Sequence, residues 1–79
     1  MSQFSRLLHQ YRLREGLSQA ALARACGCKP QYISNVERGV APFAPRRIKK
    51  LARVLGTKPF VFKNAMLKDY KRHLDSIVR

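Results

Sequence analysis

Leu17-Ser18-Gln19-Ala20-Ala21-Leu22-Ala23-Arg24-Ala25-Cys26-Gly27-Cys28-Lys29-Pro30-Gln31-Tyr32-Ile33-Ser34-Asn35-Val36-Glu37-Arg38-Gly39 is the stretch that decides the fold. Ser18 is a good N-cap, so a helix is expected to start after it, carry Leu22 and Ala25 inward and close at Gly27. Pro30 suits the first position of a second helix, which buries Ile33 and Val36 and stops at Gly39. Ala23 lies where the two helices approach, and Gly27 supplies a turn conformation that a residue with a Cβ adopts reluctantly. The segment therefore predicts two short helices locked around a tight turn.

Outward from this unit the pattern stays helical. Phe4, Leu7, Leu8 and Tyr11 recur at helical spacing and predict a first helix over Gln3–Arg14, ended by Gly16. Val40–Ala44 reads as a loop. Pro45 is expected to open a helix whose stripe is Ile48, Leu51, Ala52 and Leu55, with Gly56 as its stop. From Pro59 the chain reads helical to its end, with a candidate break near Asn64, and Phe60 and Phe62 are assigned to the core. Strand-like alternation and repeats are lacking, so the fold class is all-α, read as one domain over 1–79. Leu67, Tyr70, Leu74 and Ile77 recur at heptad-like spacing beside Val78, which makes one face of 59–79 apolar and a candidate dimer interface.

Charge narrows the partners. Seventeen Lys and Arg against four Asp and Glu give a net charge of +13 over 79 residues, which attracts polyanions. A ribosomal or membrane-surface protein would share that balance. The apolar runs fall short of the ~20 residues that span a bilayer, and the first residues lack a leader-like apolar core, so a cytoplasmic protein is expected. Cys26 and Cys28, flanking Gly27, read as small buried apolar residues, with redox sensing as the alternative; His9 and His73 lie too far off for a metal site. Glu15, Glu37, Asp69 and Asp75 form no evident pair, and a phosphate loop or nucleophile motif is lacking, so neither an enzyme nor a cofactor is expected. Single-stranded RNA is disfavoured because interleaved aromatics for stacking are missing.

The second helix of the unit points to DNA on its own. With Ile33 and Val36 inward, Gln31, Ser34, Asn35 and Arg38 share the outward face. Gln and Asn can pair bidentately with adenine, and Ser serves as donor or acceptor. Lys29, Tyr32 and Arg38 are candidates for the sugar-phosphate backbone, and Arg46 and Arg47 for flanking phosphates.

The segments Leu17-Ser18-Gln19, Leu22-Ala23, Gly27, Tyr32-Ile33-Ser34 and Glu37-Arg38-Gly39, followed by Leu51-Ala52 and Leu55-Gly56, resemble the Cro and phage lambda-repressor type (XRE-like) helix-turn-helix family over residues 8 to 56. The resemblance implies a five-helix domain with the helix-turn-helix at 18–38 and a homodimeric, DNA-binding transcriptional regulator, most often a repressor on a palindromic operator. It assigns base contacts to Pro30, Gln31, Ser34 and Asn35, Pro30 offering apolar contact alone, and a phosphate contact to Gln19. It also implies a structural ion pair between Arg12 and Glu37. Two departures stand out: Lys29 replaces the usual Ser or Thr cap of the reading helix, and Ala44-Pro45 replaces a capping residue further on. The competing expectation is an antitoxin-type interaction module that binds DNA to regulate itself and offers its apolar C-terminal stripe to an unrelated protein.

Overall fold

The computed structural model describes residues 2–77, and Val78 of the C-terminal stripe lies outside them. Five α-helices follow in order: α1 (Gln3–Arg14), α2 (Gln19–Cys26), α3 (Pro30–Glu37), α4 (Ile48–Val54) and α5 (Pro59–Ile77). No strand occurs among the described residues.

Each start has a local cause. The Ser2 hydroxyl accepts from the Ser5 amide, and the Ser18 hydroxyl accepts from the Ala21 amide. Lys29 offers no side-chain cap to α3, which begins on Pro30 instead. Ahead of α4 the chain departs from expectation: Pro45–Arg47 is a 3-10 turn, and the α-helix starts only at Ile48. Ala44 has no capping side chain, so the tighter turn, closed by the Arg47 amide on the Ala44 carbonyl at 3.0 Å, takes up the first orphan group. Gly27 ends α2 with φ +72°, a left-handed conformation that any side chain would strain.

The core is one cluster built from every helix. Leu8, Leu22, Ala23, Ile33, Val36, Ile48, Leu51, Ala52, Leu55 and Phe62 are fully or almost fully enclosed. An aromatic chain runs through it, Tyr32 to Phe43 to Phe4 to Phe62 to Tyr11, with successive ring centroids 5.4–5.6 Å apart. Phe43, a loop residue, is thus a core anchor that ties the α3–α4 connection to α1.

Four sequence expectations are corrected. Ala25 is exposed rather than inward, while Ala23 and Cys26 are buried as expected. α2 packs on both α3 and α4, and that seam lies on the other side of Leu22. Cys28 is half-buried rather than buried. Phe60 is 58% exposed while Phe62 is buried: residues two apart on a helix point in nearly opposite directions, so both cannot face one core. α5 also runs through Asn64 without a break, because the packing of Phe62 and Ala65 outweighs the ~0.7 kcal/mol that a poor helix former costs.

α5 is fastened at its middle. The Gln3 and Phe4 amides donate to Asp69 Oδ1 and Oδ2 at 2.8 and 2.9 Å, so a carboxylate from α5 closes the N-terminus of α1.

Candidate nucleic-acid interface

The α2–turn–α3 unit is held to α1 by one buried polar node. Glu37, at the last position of α3, is 4% exposed. Its Oε2 accepts from Arg12 Nε at 2.6 Å; its Oε1 accepts from Arg12 Nη2 at 3.1 Å, from His9 Nδ1 at 3.0 Å and from Gln19 Nε2 at 3.3 Å. Arg12 Nη1 donates further to the Leu17 carbonyl at 2.8 Å. Burial by itself would raise the Glu37 carboxyl, but hydrogen bonds from Arg12, His9 and Gln19 outweigh it and hold the group below its ordinary value. The node fixes the angle of α3, since donors from α1 and α2 converge on a carboxylate of α3.

From that base α3 presents its outward face. Gln31 and Arg38 are exposed, and Ser34 and Asn35 half-exposed. Gln31 Nε2 and Arg38 Nη2 both donate to Asn35 Oδ1 at 2.9 Å. Lys29 and Pro30 stand exposed at the N-terminus of the same helix. An open groove beside this face is lined by Lys29, Gln31, Tyr32, Asn35, Arg46 and Arg47 together with the turn. Uncharged amides at the centre and cations around them form a surface that can read base edges while holding phosphates.

Three candidate backbone contacts carry structural duties in the free protein. Tyr32 Oη accepts from the Ala44 amide at 2.7 Å, which pins the α3–α4 loop. Arg47 Nη1 donates to the Cys26 and Gly27 carbonyls at 3.3 Å each, closing the C-terminus of α2, with its guanidinium 6.0 Å from the Tyr32 ring centre. Gln19, at the start of α2, is turned toward Glu37. Arg46 and Lys29 remain exposed. Asp69 and Phe43 were invisible to the sequence reading, because their partners lie 65 and 39 residues away along the chain.

Neither cysteine is poised for chemistry. Burial pushes the Cys26 thiol up, reinforced by Cys28 and opposed by Lys50 and Arg47; burial likewise pushes Cys28 up against Arg47. No cluster of His, Cys, Asp or Glu suited to a metal occurs among the described residues, and no helix there is long and apolar enough to cross a membrane.

Residues 3–59 match the family profile described as the helix-turn-helix domain. The chain belongs to the helix-turn-helix family of DNA-binding transcription regulators. Within that family, it is similar to the restriction-modification controller protein C.AhdI from Aeromonas hydrophila, at 37% identity over 72% of this chain and 86% of that one, with a TM-score of 0.68. The hypothetical transcription factor NHTF from Neisseria is 34% identical over 75% and 68% of the two chains, with a TM-score of 0.69. The restriction-modification controller protein C.Esp1396I is 25% identical over 87% and 88%, with a TM-score of 0.70. No curated protein matches the chain. In helix-turn-helix terms α2 is the first helix of the motif, Gly27 lies in its turn and α3 is the second helix.

Proposed function

We propose that the protein is a homodimeric repressor that binds a palindromic operator through α3. The carrying observation is the outward face of α3, on which Gln31 and Asn35 form a hydrogen-bonded amide pair framed by Lys29, Arg38 and Arg46. Gln31, Ser34 and Asn35 read base edges, and Pro30 offers only an apolar surface to a thymine methyl. Lys29, Arg38, Tyr32 and Gln19 hold the backbone; Gln19 leaves Glu37 or shares it when a phosphate arrives at the N-terminus of α2. Similarity to two controller proteins of restriction-modification systems supports a regulatory role.

The dimer reading rests on α5. Leu67, Tyr70 and Ile77 are each more than 60% exposed and Leu74 is 40% exposed, on one side of the helix. Phe60, seven residues before Leu67, extends that stripe toward the start of α5. A row of large apolar side chains facing water is best explained by a partner that covers it. A second copy is the partner that also doubles the DNA contacts, with half-sites about 34 Å apart on one face of the duplex.

Selection of bound duplexes from a random pool, with sedimentation of the free protein, tests this reading. An inverted repeat and a dimer at micromolar concentration are expected. A monomer at tens of micromolar that stays monomeric on the selected duplex contradicts the homodimer. Stoichiometric co-purification of an unrelated protein on the α5 stripe supports the antitoxin-type alternative.

A further inference from the structure

Arg38 determines which atoms of Asn35 are available to DNA. A guanidinium carries five N–H donors and no acceptor, so the amide atom it meets at 2.9 Å must be the oxygen. Gln31 Nε2 meets that same oxygen at 2.9 Å and is therefore a donor as well. An amide oxygen has two lone pairs, and both are engaged. What Asn35 has left is Nδ2 with its two hydrogens. Gln31 keeps the complementary set: a free Oε1 acceptor and one remaining Nε2 hydrogen.

We infer that Arg38 is a positioning residue that locks Asn35 as a donor-only reader. Asn35 then favours a keto base, guanine with acceptors at both N7 and O6 or thymine at O4; adenine offers it N7 alone beside the opposing N6 donor, so the two-point adenine contact usually expected of asparagine is not made. Gln31 retains the acceptor and donor which that adenine contact requires. Rotating the Asn35 amide to offer Oδ1 to the amino group of adenine or cytosine would break both bonds on that oxygen. It would also turn the Nδ2 hydrogens toward the Arg38 guanidinium, donor against donor. The lock is set before DNA arrives, so the preference is built into the free protein. The inference rests on the assignment of α3 as the base-reading helix.

The test is selection from a random duplex pool with the wild type, Arg38→Met, Asn35→Ala and the double variant, plus binding of the enriched duplex across salt concentrations. Arg38 is exposed, so Arg38→Met leaves the core intact. Expected is an Asn35-dependent preference for guanine or thymine at one step of each half-site, about tenfold over the amino bases. Arg38→Met should relax that step toward parity and keep the other preferences. The double variant should lose no more at that step than Asn35→Ala alone. If Arg38→Met weakens all duplexes evenly, preserves every preference and lowers the salt slope by about one, Arg38 is a phosphate contact only and the inference is overturned. An Asn35-dependent preference for adenine or cytosine in the wild type overturns it as well. A wild-type pool with no enriched sequence, or one indifferent to every substitution on α3, instead sinks the assignment of α3 on which it stands.

Discussion

Glu37 shows how a single side chain sets the angle of a whole helix. Its carboxylate takes four hydrogen bonds from His9, Arg12 and Gln19 in a site almost closed to water. Removing the cation from such a pair leaves a buried charge uncompensated, so Arg12→Met should cost about 3 kcal/mol of stability, read by chemical denaturation. The acid limb has a definite sign. The folded Glu37 carboxyl lies below the ordinary value of 4.5, so its contribution is complete above that value and disappears as pH falls through the lower folded value. Glu37→Gln should therefore lower stability at neutral pH and flatten its loss below pH 4.5; an acid limb as steep as the wild type's would exclude the carboxylate as its source. The raised thiols of buried Cys26 and half-buried Cys28 predict slow alkylation in the native state, since few thiolates are present at neutral pH.

Among the elements, α1 and α5 depend on each other through Asp69. Two backbone amides at the start of α1 have this carboxylate as acceptor, so Asp69→Ala should cost about 1 kcal/mol and fray α1 first, visible as faster amide exchange at Gln3 and Phe4. The helix boundaries of α1, α2 and α3 were legible in the sequence because their signals are local: Ser18 before α2, Gly27 after it, Pro30 opening α3. What failed depended on distant neighbours. Ala25 fits the helical period of Leu22, but α2 packs on both α3 and α4, and Ala23 and Cys26 rather than Ala25 are enclosed. Phe43 sits in a loop with no periodicity to betray it, yet it stacks on Phe4 and Tyr32. On the outward face of α3 the residue types were readable, but the hydrogen bonds that orient Gln31 and Asn35 were not, because residue spacing does not say which amide atom faces which. The α5 stripe makes its own prediction. Lys63, exposed and one turn after Phe60, is the one polar residue in the heptad series that runs from Phe60 to Ile77. Lys63→Leu should tighten the proposed homodimer, and Leu67→Ala with Leu74→Ala should loosen it, both read by sedimentation. An unchanged association constant in both would exclude this face.

For the molecule as a whole, charge and shape act together. A net charge of +13 on a body 41 × 24 × 21 Å gives strong, sequence-independent attraction to a duplex. With ~5 phosphates neutralised per subunit, a dimer should lose affinity with salt at a log–log slope near −9. Specificity must come from elsewhere, and the account assigns it to α3. The direct measurement is the ratio of affinities for the selected operator and a scrambled duplex, at one salt concentration, for the wild type and for Gln31→Ala with Asn35→Ala. The ratio should collapse toward one in the double variant while affinity for the scrambled duplex stays within about twofold. An undiminished ratio would contradict the assignment to α3, because the operator would then be read by some other surface.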